Sequence, residues 1–178
     1  AWLAAVLATA FSVGLTGAFH EDGLADTADG LGGAVSRERA LEIMKDSRIG
    51  SYGAIALVLA LLAKMLLLGL LTETGGAQQA AWALFAAHVS SRLMPLFVIR
   101  TLPHVGDTPT SKSKPLAESI GTSGLLAGLL WWMPAMVLAG WAAPGLPWLP
   151  AVLGALAGLA WMWRLLQRRL QGFTGDGL

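Results

Sequence analysis

From Ala1 to Phe19 the chain carries no charged side chain. Four more apolar runs follow: Ile49–Leu71, Ala80–Ile99, Gly121–Ala143 and Leu146–Leu166. Their only basic side chains are Lys64, His88, Arg92 and Arg164, and none holds an acid. A helix needs about 20 such residues to cross a bilayer. Unpaired backbone groups in hydrocarbon are so costly that only helices or closed barrels span. The runs are continuous rather than alternating, so they predict helices. Charged residues make up 13% of the chain, about half the share of a soluble domain. The expected fold is all-α: a polytopic helical bundle of about five transmembrane helices in one domain, 1–178. Ala1–Phe19 lacks a basic leader and is followed by an acidic motif, so it reads as a span rather than a signal peptide. The apolar start and the abrupt "TGDGL" end suggest a piece of a longer protein.

Lysine and arginine in the connections set orientation. Arg37, Arg39, Lys45 and Arg48 follow the first span. Arg100, Lys112 and Lys114 follow the third, and Arg164, Arg168 and Arg169 mark the end of the fifth. The turns "TETGGAQ" and "APG" have none. This alternation groups 19–48, 101–120 and 167–178 on the cytoplasmic side, with tight outward turns between the second and third spans and between the fourth and fifth. Gly124 with Gly128, and Gly154 with Gly158, have the small-xxx-small spacing that permits close helix approach. Within the first connection, "SRERALEIMKDS" places Ala40, Leu41, Ile43 and Met44 against Glu38, Arg39, Glu42 and Lys45. It predicts an amphipathic helix on the membrane surface, with Ser36 as its N-cap. A net charge of +1 gives no field for nucleic acid. The absence of cysteine excludes disulfides, thiolate metal sites and cysteine nucleophiles.

The acidic stretch "FHEDGLADTADG" is the candidate site. Asp22, Asp26 and Asp29 stand at i, i+4 and i+7, one face of a helix. Like charges on one face at a membrane edge call for a cation. All-oxygen ligands suit Mg²⁺ or Mn²⁺ rather than zinc. Glu21 lies about 100° round the helix and reads as a base or an outer partner. His20 reads as an acid/base, a phosphate contact or an interfacial residue. Asp176, in "FTGDG", is a further candidate ligand on the same side of the membrane. Such a site takes pyrophosphates or phosphodiesters, and its catalysis is positioning and charge neutralisation. Such a site also wants fixed positive charge, and Arg92, which shares a helix face with His88 and is expected to face the bundle interior, is the catalytic candidate for it, or else a structural ion-pair partner of one of the aspartates. Lys45, Arg48, Lys112 and Lys114 are candidate phosphate contacts, or else topogenic and headgroup residues. Lys64 reads as a structural, snorkelling residue pointing away from the site. Trp131, Trp132, Trp161 and Trp163 read as interface tryptophans, or else as stacking surfaces for a flat ring system of a ligand.

"TGAFHEDGLADTADGLGG" with "RERALEIMKDSRIGSYG" closely resembles the membrane-bound cobalamin synthase family of adenosylcobinamide-GDP ribazoletransferases. "SRLMP", "SKSKPLAE" and "FTGDGL" fit as well, so the resemblance covers nearly the whole chain. It implies a Mg²⁺-dependent, multi-pass enzyme of the bacterial inner membrane with a cytoplasmic active site. Such an enzyme joins adenosylcobinamide-GDP to α-ribazole or its 5′-phosphate. GMP leaves, and adenosylcobalamin or its phosphate forms. The family's acidic motif falls on His20, Glu21, Asp22, Asp26 and Asp29. Its Lys-Asp-Ser-Arg piece falls on Lys45, Asp46, Ser47 and Arg48, and its terminal Thr-Gly-Asp on Thr174, Gly175 and Asp176. Against the family, hydrophobic portions at both ends are expected to be missing. The rival reading is another aspartate-motif transferase, acting on a CDP-alcohol or a prenyl diphosphate. A cation transporter would put carboxylates deep in spans, whereas all 11 acids lie in connections or tails. Oligomeric state, a homo-oligomer included, is left open.

Overall fold

The computed structural model describes residues 1–106 and 119–178. Among the described residues six helices follow in order: α1 (Trp2–Thr16), α2 (Phe19–Gly32), α3 (Arg37–Met44), α4 (Ser51–Thr101), α5 (Thr122–Ala142) and α6 (Trp148–Arg169). Among the described residues the only β pairing is an isolated parallel bridge between His104 and Phe173. α4, α5 and α6 are long and apolar enough to cross a bilayer, and the bent pair α1–α2 is a fourth candidate. Large apolar side chains face outward, as lipid rather than water requires: Leu7, Phe11 and Leu15 on α1, and Leu130, Trp131 and Trp141 on α5. The chain is a multi-pass membrane protein.

Unbroken, the 51 residues of α4 would run about 76 Å, far beyond the hydrocarbon thickness. Gly76 solves this. Its φ of 80° and ψ of 166° are open only to glycine, and they divide α4 into two arms. Lys64 and His88, equidistant in sequence from Gly76, lie within electrostatic reach of each other, so the arms fold back as a hairpin. The turn expected over "TETGGAQ" is thus a single-residue break within otherwise helical backbone. Counting both arms, the expectation of about five spans agrees with this architecture.

The first span departs from expectation. α1 stops at Thr16, and Gly17 and Ala18 both take left-handed backbone (φ 62° and 59°). Gly17 N–H donates to Gly14 O at 3.3 Å and Ala18 N–H to Val13 O at 2.9 Å. These bonds close the helix in a Schellman-like turn. The corner swings α2 through 87° relative to α1, so the acidic helix lies across the bundle instead of prolonging the span.

The described residues of the three connections that lysine and arginine grouped together do meet at one end of the bundle. Leu31, Ala40, Met44, Val98, Ile99, Leu102, Leu166, Leu170 and Phe173 form one buried cluster there. α3 begins as expected, with Ser36 Oγ accepting from Arg39 N–H at 3.3 Å. Its apolar side, however, is covered by protein. Ala40 and Met44 are buried against α2, where Gly30 leaves the room: a Cβ there would collide with the Met44 side chain and come within 3.0 Å of Ala40 O. Gly30→Ala is therefore expected to destabilise the chain by about 1–3 kcal/mol through overpacking. A thermal unfolding midpoint equal to wild type would refute that. The glycine pairs divide: Gly128 packs under Leu96, while Gly154 and Gly158 have nothing within 4 Å of the position a Cβ would take and make no close helix contact.

Candidate active site

α2 carries the acidic motif as a continuous helix, and the corner at Gly17–Ala18 sets its direction. The tail after α6 docks beside it. Phe173 is fully buried and is held by Phe173 N–H to Pro103 O and Val105 N–H to Phe173 O, both 2.9 Å. Three residues on, Thr27 Oγ1 donates to Asp176 O at 2.9 Å. Gly23 allows this approach, since a Cβ there would meet Asp176 O at 3.0 Å. The terminal Thr-Gly-Asp thus lies against the acidic helix, as the same-side expectation requires.

Two arginines tie the tail to α2 and α3. Arg169 donates to the carbonyls of Leu31 (3.0 Å), Gly33 (2.6 Å) and Val35 (3.4 Å) at the C-terminal end of α2. Arg37 returns the contact, its Nε donating to Leu170 O at 2.6 Å. Each helix end leaves carbonyls unpaired, and each is capped by a cation from the other segment. Sequence reading took Arg169 for a topogenic charge. Nothing local marks it as a cap, because its acceptors lie more than a hundred positions away.

Asp26 is the electrostatic centre of the site. Burial, then Asp22, Asp176 and Asp29 in that order, push its carboxyl from 3.8 up to about 6. The protein packed around Asp176 raises that carboxyl too, with Asp22 adding to the effect, although the residue keeps surface exposure. Glu21 has its Oε2 buried without a hydrogen-bond partner. Asp22, Asp29 and Asp176 each repel Asp26, and Glu21, on the same helix, has an orphaned oxygen. All-oxygen donors with such a surplus of negative charge fit a hard divalent cation. Among the described residues no three such side chains already converge on a single ion position. Because the folded pKa of Asp26 exceeds its unfolded value, its contribution to stability is full below about pH 4 and is lost as pH rises through about 6. Without divalent ions, the wild-type unfolding midpoint should fall over that window, and Asp26→Asn should flatten the fall. Parallel curves for the two proteins would contradict the clustering.

Asp29 departs from the expected set. Its Oδ2 accepts from Gly50 N–H at 2.7 Å and its Oδ1 from Gly53 N–H at 2.8 Å, so the carboxylate is turned onto the start of α4. Arg92 is also a correction. Instead of facing a buried interior it is exposed, with its guanidinium 3.4 Å from Ser91 Oγ. The helix phase that pairs it with His88 holds, but the face they share is an open one. His20, Lys64 and Arg92 all lie within electrostatic reach of His88. Lys64 does not snorkel away: its Nζ donates to Ser12 Oγ on α1 at 2.8 Å. His20 is exposed and packs edge-on against Phe19.

Arg48 is engaged by Asp46 at 2.6 Å on the open surface. Hydrogen bonds from Arg48 hold the Asp46 carboxyl down to about 2. Lys45 is exposed at the end of α3. Lys112 and Lys114 lie outside the described residues. Trp132 Nε1 donates to Ser90 Oγ at 3.0 Å and Trp163 Nε1 to Thr101 Oγ1 at 2.9 Å, so these two tryptophans also tie helices together.

A multi-pass helical bundle that carries an acidic helix turned across its spans is the frame of a membrane-embedded enzyme. The chain belongs to the cobalamin-5-phosphate synthase family, whose model matches residues 1–178. It is 53% identical to the adenosylcobinamide-GDP ribazoletransferase of Polaromonas sp., over 99% of this chain and 67% of that protein. The enzyme of the same name from Albidiferax ferrireducens is 52% identical over 99% of this chain and 68% of its own length. That from Vibrio cholerae is 42% identical over 97% and 63%. No solved structure matches.

Proposed function

We propose that this chain holds the active site of an adenosylcobinamide-GDP ribazoletransferase. It would join the activated corrinoid to α-ribazole or α-ribazole 5′-phosphate, release GMP, and act at the cytoplasmic face of the bacterial inner membrane. The observation that supports the reading is the docking of the tail on the acidic helix, Thr27 Oγ1 to Asp176 O at 2.9 Å, which brings Asp176 within electrostatic reach of Asp22 and Asp26. Asp22, Asp26 and Asp176 would hold Mg²⁺, which when bound supplies charge neutralisation to a diphosphate. A ribose hydroxyl of the acceptor attacks the phosphorus attached to the corrinoid arm. The new O–P bond replaces the P–O bond to GMP, and the hydroxyl proton passes to His20 or Glu21. Arg92, on the open face beside His88, offsets charge on the departing GMP.

The test is donor choice. Purified protein with Mg²⁺ and α-ribazole should release GMP from adenosylcobinamide-GDP and no CMP from a CDP-alcohol. CMP release, or diphosphate release from a prenyl donor, with no GMP would replace this reading by the rival class.

A further inference from the structure

We propose that Asp29 is a positioning residue, a clasp that fixes the acidic helix α2 against the first turn of α4, and not a ligand of the divalent ion. The inference rests on the transferase reading only for what the clasp positions.

The geometry is specific. A helix start leaves its first amide groups without intrahelical partners, and two of them, from Gly50 and Gly53, donate to opposite oxygens of one carboxylate at 2.7 and 2.8 Å. The charge sits at the positive end of the α4 dipole, and both bonds are charge-assisted. Neither donor residue has room for a side chain. A Cβ on Gly50 or Gly53 would run into the Asp29 carboxylate, and on Gly53 it would also come within 2.9 Å of Ala25 O. Asp29, Gly50 and Gly53 therefore form one unit, and the two glycines are read as space for a carboxylate. Asp26 lies one turn earlier on the same helix, directly after Ala25, whose carbonyl packs on Gly53. The register of α2 on α4 thus sets where Asp26 stands. To serve an ion as well, Asp29 would have to share both oxygens with two part-buried amides that have no other hydrogen-bond acceptor among the described contacts, which holds the carboxylate turned toward α4.

The experiment is thermal unfolding of the detergent-purified chain in EDTA, comparing wild type, Asp29→Asn and Asp29→Ala. A clasp predicts midpoints falling in that order, with Asp29→Ala lower than wild type by about 5 °C. Asn keeps one acceptor oxygen and so falls between. If Asp29 were one more member of a repelling ligand set, removing its charge would leave the midpoint unchanged or raise it, and that result overturns the proposal. If Asp29→Ala is not recovered folded, the sign of the Asp29→Asn shift decides alone. A second readout separates positioning from mere stability. At saturating Mg²⁺, Asp29→Asn should keep more than half of wild-type GMP release, and loss as complete as in Asp26→Asn would refute the assignment. The unfolding order is read without metal or substrate, so it stands or falls independently of the donor assay.

Discussion

Asp26→Asn should reduce GMP release by about 10²–10³-fold or more while leaving the chain folded. A ligand that holds charge in place at the reacting diphosphate contributes several kcal/mol to the transition state, and Asn cannot supply that charge. The same substitution should not harm the fold. In the free protein Asp26 is ionised only against burial and the charges of Asp22, Asp176 and Asp29, so a neutral isostere relieves repulsion. Measured in EDTA, the unfolding midpoint of Asp26→Asn at pH 7 should equal or exceed wild type. Any Mg²⁺-induced rise in the midpoint should disappear. Near-normal turnover in this variant would remove the metal assignment. A lowered metal-free midpoint would show that Asp26 is held by favourable contacts and not by a missing cation.

The contrast between Asp26 and Asp29 shows what a sequence reveals at this site and what it hides. Helical phase is a local property, and it correctly placed Asp22, Asp26 and Asp29 on one helix. The phase says nothing of what each side chain meets across the bundle. Asp29 meets α4 because Gly50 and Gly53 are bare, and two glycines in a span entrance read equally well as flexibility. Lysine and arginine positions grouped three connections whose described residues meet at one end of the bundle, because membrane insertion reads charge along the chain. They could not distinguish Arg169, a cap on distant carbonyls, from Arg168, which is exposed. The spans followed from composition alone. The corner at Gly17–Ala18 did not, since Ala18 adopts a left-handed backbone that alanine seldom takes. That corner turns an apparent juxtamembrane extension into a helix lying across the bundle. The expected inward orientation of Arg92 failed for a related reason: the rule that membrane arginines face inward names no direction until the neighbouring helices are known.

Arg169→Met should destabilise the chain by about 3 kcal/mol and loosen the site from its far end. Its guanidinium serves three carbonyls at the exit of α2. Hydrogen bonds to a charged group contribute about 1.5–3 kcal/mol each, and the geometry of the 3.4 Å contact discounts the third. Methionine preserves most of the side-chain volume, so the loss reports the hydrogen bonds rather than a cavity. Arg169→Lys should recover part of it, because one ammonium cannot reach all three acceptors in the fork geometry of a guanidinium. Arg37 bonds the neighbouring carbonyl of Leu170. Arg37→Met combined with Arg169→Met should therefore cost less than the sum of the single losses, as expected for groups sharing one interface. Denaturant unfolding of the four proteins gives that cycle directly. Strict additivity would mean that the two arginines act on separate structures. Activity adds a further consequence. The segment that Arg169 anchors runs through Phe173 to Asp176, whose carbonyl is bonded to Thr27. Freeing its base should lower GMP release at temperatures where Arg169→Met is still fully folded, and raise the Mg²⁺ concentration needed for half-maximal rate. An unchanged Mg²⁺ requirement would separate the tail from the metal site.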